Sequence, residues 1–140
     1  MKKYMCAIAG LLFLWTVGCS DEKISQAEVQ AEKEAAVWLE LVDQGQYEES
    51  WQQAATFFKS AVPQEKWIQS MQALRDPLGH NLSRDQKSTR YSTTLYRAPD
   101  GEYVVIKLES VFEDKASAQE MITLMLEADG KWRVAVYYLK

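Results

Sequence analysis

The fold is decided by residues 99–108, which read Pro-Asp-Gly-Glu-Tyr-Val-Val-Ile-Lys-Leu. The first three are turn-forming residues, and the run that follows is rich in β-branched and aromatic residues, which favour strands. Before the turn, from about Lys87, the chain takes a period of two, so that Tyr91, Thr93 and Leu95 alternate with their neighbours. The two stretches together predict a β-hairpin.

Two more stretches continue this pattern to the end of the chain. Residues 118–126 are apolar and place Ile122, Leu124 and Leu126 on one face. Asp129-Gly130 then supplies a second turn before residues 132–139, which are again aromatic and β-branched. Four strands in succession predict an antiparallel sheet.

The first half of the chain has a helical period instead. Ser25, with Glu28 three residues later, is typical of a capping box that opens a helix, and Gly45 is placed to end it. A second apolar stripe covers residues 47–58, and a third helix is predicted from Pro63 to Leu74. Helices followed by strands indicate an α+β fold, with three N-terminal helices packed on a curved four-stranded antiparallel sheet.

The N-terminus has the order of an export signal. Lys2 and Lys3 precede an uncharged stretch, residues 5–18, that as a helix would rise about 21 Å, short of the roughly 30 Å hydrocarbon core of a bilayer. A cleaved leader is therefore favoured over a transmembrane helix. We expect a signal peptide over residues 1–18, a short tether over 19–26 and a single domain over 27–140.

Thr16-Val17-Gly18-Cys19 resembles the lipobox of bacterial lipoproteins, although that family usually has leucine where Thr16 stands. The resemblance implies that Cys19 is acylated and becomes the first residue of the mature protein. Several acyl chains would give lasting attachment to a membrane. The alternatives are an ordinary secretory leader with a chance cysteine, or a buried thiol.

The charge of the chain limits the partners it can bind, and its cysteine content limits the disulfides it can form. The chain has 16 basic and 20 acidic residues, and loss of Lys2 and Lys3 would make it more acidic still. An acidic surface is repelled by phosphates, so nucleic acid is excluded as a partner and the membrane attachment is expected to be lipid. The other cysteine, Cys6, lies in the leader, so no disulfide within the mature chain is expected.

The body of the chain also resembles a known family. Trp38-Leu39 with Leu41-Val42-Asp43, and the run from Pro99 to Val105, resemble a bacterial family called domain-of-unknown-function 4019. The closing Asp129-Gly130 with Trp132-Arg133-Val134 matches as well. The order of elements is similar to the cystatin-like fold of nuclear-transport-factor-like proteins, in which a sheet wraps around a helix to form a cone. The resemblance implies a fold and an envelope location but no activity.

Residues for catalysis or metal binding are few, so we predict no catalytic residue, no metal site and no cofactor. The only histidine, His80, is expected in a solvated loop, and Asp76 and Asp85 in polar surroundings. Some cone-fold enzymes, such as ketosteroid isomerase and polyketide cyclases, carry a carboxylate or histidine inside the cone. Lys107 and Glu109 are instead expected on the outer face of the second strand as a solvated ion pair.

One surface is left as a candidate contact for a ligand or partner. By alternation Tyr103 shares a face with Lys107 and Glu109, while Tyr137 and Tyr138 point to opposite faces. The sequence favours a non-enzymatic envelope lipoprotein that faces the periplasm and binds an envelope protein or a small apolar ligand. The alternative is a cone-fold isomerase or dehydratase acting on a small apolar molecule. Inner and outer membrane are equally compatible with the sequence.

Overall fold

The structure, a computed structural model, describes residues 18–140. The helices are α1 (Cys19–Asp43), α2 (Tyr47–Gln53), α3 (Thr56–Ala61) and α4 (Gln64–Arg75), followed by a 3₁₀ turn (Asp76–Leu78). The strands are β1 (Asn81–Ser92), β2 (Tyr103–Phe112), β3 (Lys115–Leu126) and β4 (Trp132–Leu139). They form one antiparallel sheet in the order β1-β2-β3-β4, which confirms the predicted α+β class. The predicted leader before Gly18 lies outside the described residues.

Helix α1 begins earlier than the sequence predicts. It starts at Cys19, so the prediction that a capping box at Ser25 opens the helix is wrong. Residues 19–26, which were expected to form a tether, are helical. The carboxylate of Glu28 does not turn back on its own helix. It accepts a hydrogen bond from the backbone N–H of Tyr91 at 2.9 Å, so contact with the sheet has replaced capping.

The end of α1 agrees with the sequence. Gly45 has φ 72°, a left-handed conformation that glycine adopts without a steric penalty. The N–H of Gly45 donates to the carbonyl of Val42 at 3.1 Å, and the N–H of Gln46 donates to the carbonyl of Leu41 at 2.8 Å. These two bonds form a Schellman motif, which satisfies carbonyls that the end of a helix leaves without partners.

The second predicted helix is two helices. Ala54 and Ala55 between them have ψ values of 163° and 151°, which are extended, and both are completely buried. The N–H of Ala55 donates to the carbonyl of Val134 in β4 at 2.8 Å. The chain therefore leaves the helical path in order to dock its backbone on the sheet, and this contact overrides the apolar stripe that predicted one helix.

The first three strands differ from their predicted bounds. Strand β1 runs from Asn81 to Ser92, so it begins before Lys87 and ends before the predicted Leu95. Strands β2 and β3 are longer than predicted and meet at a two-residue turn, Glu113-Asp114. Strand β4 has the predicted bounds.

The main core lies between α1 and one face of the sheet, which we call the helix-covered face. Its side chains from the sheet are Val104, Ile106, Leu108, Ile122, Leu124, Trp132 and Val134. The stripe of α1 that packs on them consists of Ala27, Ala31, Ala35, Trp38, Leu39 and Val42. On the opposite face Lys107, Glu109 and Tyr138 are exposed, so the sheet has one covered and one solvated side.

Candidate functional site

Four charged side chains meet a tyrosine beneath the C-terminal end of α1. This charged cluster consists of Asp43, Arg75, Arg84, Glu120 and Tyr137. Each residue comes from a different element, namely α1, α4, β1, β3 and β4 in that order. The side chains of Arg75 and Glu120 are only 3% and 0% exposed, so the cluster lies largely out of solvent.

Arg84 holds both carboxylates of the charged cluster. Its Nη1 and Nη2 donate to Asp43 Oδ2 and Oδ1 at 2.5 and 2.7 Å, a bidentate arrangement. Its Nε donates to Glu120 Oε1 at 3.2 Å. The other oxygen of Glu120 accepts the hydroxyl of Tyr137 at 3.1 Å. Both oxygens of the buried Glu120 carboxylate are therefore engaged.

Arg75 completes the charged cluster from the other side. Its Nη2 donates to Asp43 Oδ1 at 2.6 Å, and its Nη1 donates to the Tyr137 hydroxyl at 3.3 Å. The guanidinium carbon lies 4.5 Å from the centre of the Phe112 ring, within cation–π range. Two positive and two negative charges thus balance, and Asp43 bridges the two arginines.

The contacts set the protonation states. Burial alone would raise the pKa of Asp43, but the hydrogen bonds from Arg84 and Arg75 outweigh it and hold that pKa below its ordinary value. Burial and the neighbouring charge of Glu120 raise the pKa of Tyr137. At neutral pH Asp43 is therefore ionised and Tyr137 keeps its proton, and neither is poised to exchange one.

Aromatic rings fill the space next to the charged cluster. The ring centres of Trp38 and Tyr137 lie 5.4 Å apart, and those of Trp38 and Trp67 lie 5.8 Å apart. Phe58 meets Trp67 edge-on at 5.0 Å. The indole N–H groups of Trp38 and Trp67 both donate to Ser50, to its carbonyl at 2.7 Å and to its hydroxyl at 3.0 Å. The rings are thus fixed in position, and both tryptophans are buried.

Two cavities open beside the charged cluster, and Asp43 lines both. One, of about 290 Å³, lies between α1 and the first two strands and has an apolar wall of Ala35, Leu39, Ile106 and Leu108. The other, of about 340 Å³, lies at the end of α1 and is lined by polar groups that include Tyr47 and Asp76. The Tyr47 hydroxyl donates to Asp76 at 2.8 Å, and burial together with this bond raises the pKa of Tyr47 to about 12.

The structure brings together only part of the predicted contact surface. Lys107, Glu109 and Tyr138 line one cavity of about 380 Å³ on the opposite face. Tyr103 shares that face but is completely buried, with its hydroxyl donating to the carbonyl of Pro99, so it is not a surface residue. Tyr137 points to the helix-covered face and belongs to the charged cluster, because a register shift in β4 between Val134 and Val136 places it on the same side as Val134.

The predicted pairing of Lys107 with Glu109 is wrong. Glu109 pairs with Lys87 of the neighbouring strand at 3.0 Å, and Lys87 also contacts Asp85. In the β1–β2 register Glu109 lies opposite Asp85, and Lys87, at an irregularity between Gln86 and Ser88, reaches both carboxylates. Cross-strand neighbours therefore determine the pair.

The other residues that the sequence analysis considered for catalysis or metal binding are exposed. His80 lies in the bend before β1, and its backbone N–H donates to Glu113 at 2.8 Å. Asp85 is exposed on β1. Over residues 18–140 no group of three or more histidine, cysteine, aspartate or glutamate side chains is placed to hold a metal ion.

Sequence reasoning missed the charged cluster, although helical and strand spacing contained a signal for it. Arg75 continues the stripe of Trp67 and Met71 at intervals of four. Glu120 continues the alternation of Ala118 and Ile122 and so falls on the buried face of β3. Charged residues at such positions are costly unless paired, which marks them as partners of one another.

Cys19 is exposed as the first residue of α1. Between Gly18 and the C-terminus, no helix combines the length and apolar character that a membrane span requires.

Comparison with known proteins gives a family and a fold. A family model described as "Protein of unknown function (DUF4019)" matches residues 34–137. A solved structure from Catenulispora acidiphila is similar, with a TM-score of 0.52 and 13% identity over 83% of this chain and 93% of that one. At this identity the likeness concerns the fold alone. No curated protein matches the sequence. Since the family model spans well over half of the sequence, the chain belongs to the DUF4019 family.

Proposed function

We propose that the protein is a non-enzymatic binding or accessory domain of the bacterial cell envelope, attached to a membrane through acylated Cys19 and facing the periplasm. The non-enzymatic part rests on the two carboxylates of the charged cluster. Asp43 and Glu120 are both bonded to Arg84, so their charges are already neutralised. A base for proton transfer needs a free lone pair within reach of a substrate.

The packing beside these carboxylates supports the same proposal. Trp38, Trp67 and Tyr137 pack against one another in tilted and edge-on pairs, and the Tyr137 hydroxyl is bonded to Glu120. Trp38 is 3% exposed and Trp67 is 6% exposed, and their indole groups are hydrogen-bonded. These residues therefore stabilise the fold, and Lys107, Glu109 and Tyr138 on the opposite face stay the candidate contact surface for an envelope protein.

The attachment part of the proposal is supported by the leader and by the position of Cys19. A basic start, a short apolar run and Gly18 before the cysteine resemble a lipoprotein signal. Cys19 is exposed at the end of a helix, where a modifying enzyme has access to its thiol. An acidic chain needs a covalent lipid to stay on an anionic bilayer.

The test is mass spectrometry of the protein from the envelope fraction. We expect a chain that begins at Cys19 and carries the added mass of acyl groups. A Cys19→Ser variant should lose that mass and keep its leader, because lipoprotein cleavage depends on the modified cysteine. Ser20→Ala is the matched control and should be processed normally. An unmodified chain starting at another residue would overturn the attachment.

The second candidate is an isomerase or dehydratase of the cone-fold type, and one observation favours it. Glu120 is a fully buried carboxylate that is bonded to Tyr137 and to Arg84. Arg84 also lines the apolar cavity under α1, so this cavity lies close to Glu120. Such an enzyme would bind a neutral ketone in this cavity. The test is titration of the full protein with an unsaturated polycyclic ketone, followed by tryptophan fluorescence and product absorbance.

We expect no saturable change in either signal. Saturable binding with turnover, lost in Glu120→Gln and retained in the surface control Glu109→Gln, would replace the non-enzymatic proposal with the second candidate.

A further inference from the structure

We propose that the loop between β1 and β2, residues 93–102, is a second membrane contact that inserts Tyr96 and Arg97 into the headgroup layer of the bilayer. This inference rests on the proposed acylation of Cys19. It adds an orientation: the end of the domain that carries this loop faces the membrane, and the β2–β3 turn at Glu113-Asp114 faces away.

The placement follows from the direction of α1 along the sheet. Lys23 near the start of α1 pairs with Glu102 at 2.9 Å, and Glu28 binds the N–H of Tyr91. Farther along α1, Glu32 accepts the hydroxyl of Thr89 at 2.6 Å, and Asp43 at its end pairs with Arg84. The helix therefore runs antiparallel to β1, with Cys19 at the same end as the β1–β2 loop.

The distance between the anchor and the loop is short. Cys19 precedes Lys23 by four residues, about 6 Å along a helix axis. Both belong to α1, which is helical from its first residue, so no flexible linker separates Cys19 from the domain. The Lys23 ammonium is bonded to Glu102, and Glu102 also accepts the Tyr91 hydroxyl at 2.6 Å. A bilayer held at Cys19 would therefore lie within reach of the loop.

The chemistry of the loop tip suits a lipid headgroup layer. Tyr96 is 84% exposed, more than Leu82 at 62% or Tyr138 at 52%. The guanidinium of Arg97 lies 5.2 Å from the centre of the Tyr96 ring. Tyrosine is enriched at the membrane–water interface, where its ring is in an apolar layer and its hydroxyl in water. Arginine reaches the phosphates from the same depth.

The loop holds this tip in a defined conformation. Arg97 has φ 60°, which is uncommon for a residue other than glycine. The turn around it is closed by the N–H of Ala98, which donates to the carbonyl of Leu95 at 3.1 Å. At the base of the loop the N–H of Gly101 donates to the carbonyl of Thr93 at 3.2 Å. Tyr96 and Arg97 are thus presented together at the tip and need little ordering on contact.

The experiment uses a spin label on the mature acylated protein. Once the leader carrying Cys6 is removed and Cys19 is acylated, an introduced cysteine is the only free thiol. A nitroxide is attached at Thr94→Cys, next to the tip, or at Leu82→Cys as the matched control on an exposed position near the other end of β1. The protein is reconstituted in vesicles of phosphatidylethanolamine and phosphatidylglycerol, and collision rates with oxygen and with a water-soluble nickel chelate are measured.

We expect the label at position 94 to gain collisions with oxygen and lose those with nickel on reconstitution, while the label at position 82 stays unchanged. Adding Tyr96→Ser and Arg97→Gln should return the label at 94 to water. Equal water exposure of both labels in a protein shown by mass to be acylated would overturn the membrane contact alone. A mass spectrum without acyl groups would overturn the proposed attachment, and this inference with it.

Discussion

Arg84 and Asp43 form a bidentate ion pair that joins strand β1 to the last residue of α1, with N–O distances of 2.5 and 2.7 Å. The same carboxylate also binds Arg75 at the end of α4. One aspartate thus ties three elements together, and its removal leaves two arginines without their shared partner.

Replacing Asp43 with asparagine should destabilise the protein. Loss of one partner of a buried ion pair leaves an uncompensated charge, which is worth roughly 3–5 kcal/mol in a fully buried pair. The side chain of Asp43 is 24% exposed, so we expect a loss of about 2–3 kcal/mol. Urea unfolding followed by tryptophan fluorescence measures it. Asp85→Asn on the exposed side of β1 is the control, and an equal effect of both changes would contradict the role of Asp43.

The ion pairs should also make the fold sensitive to acid. The pKa of Asp43 in the folded chain is below its ordinary value of 3.8. A carboxyl with a lowered pKa stabilises the fold above the unfolded-state pKa, and this contribution is lost as the pH falls through the folded-state pKa. We therefore expect the free energy of unfolding to fall below about pH 4.

Asp43→Asn should make that acid dependence shallower. The acid dependence that remains in this variant comes from other carboxyls whose pKa is lowered, namely those of Glu102, Glu127 and Asp129. The pKa of Asp129 is lowered to about 2. Urea unfolding at a series of pH values measures both proteins. Identical slopes would show that Asp43 titrates alike in the folded and unfolded chains.

Gly45→Val should destabilise the turn after α1. A β-branched residue is disfavoured at φ 72°, and we expect a loss of about 1 kcal/mol or more. A Cβ built at this position has no neighbour within 4 Å, so the effect would come from backbone strain and not from a clash. Gly45→Asn is the matched control because asparagine tolerates the left-handed region. A valine variant as stable as the parent in urea would refute this account.

Ala55→Pro should separate α3 from the sheet. Ala55 has φ −60°, which proline adopts, but proline lacks the N–H that donates to Val134. A buried carbonyl without a partner is expected to lower stability by about 1–3 kcal/mol. Thermal unfolding measures the change, and Gln64→Pro serves for comparison because proline is tolerated at the first residue of a helix. No loss at position 55 would mean that packing alone holds this segment.

The class of fold is predictable from the sequence because most elements have one apolar side. Strand β4 and the C-terminal part of β3 follow their patterns since Ile122, Leu124 and Val134 all pack against α1. Gly45 is predictable too, because its requirement is local to the backbone.

The edge strand β1 is different because polar residues occupy both of its sides. On the helix-covered side, Arg84, Gln86 and Thr89 bind carboxylates of α1. No alternation of apolar and polar residues marks such a strand, and two irregularities in its register obscure the period further. The apparent alternation at residues 93–96 lies instead in the loop.

The charged cluster could be predicted only in part. Spacing places Arg75 and Glu120 on buried faces, but Asp43 and Arg84 are recognisable as their partners only once β1 is aligned beside α1. The split at Ala54 likewise depends on a hydrogen bond to a residue about eighty positions away, which no local pattern contains.

The unbroken course of α1 has a mechanical consequence. Its 25 residues form a rod of about 37 Å at roughly 1.5 Å per residue, with Cys19 at one end and Asp43 at the other. A force applied at Cys19 is transmitted along the hydrogen-bonded turns of α1, because no flexible linker follows Cys19 to absorb it. The load is therefore shared among the contacts along α1, from the salt bridge of Lys23 with Glu102 near Cys19 to the salt bridges of Asp43 with Arg75 and Arg84 at the far end.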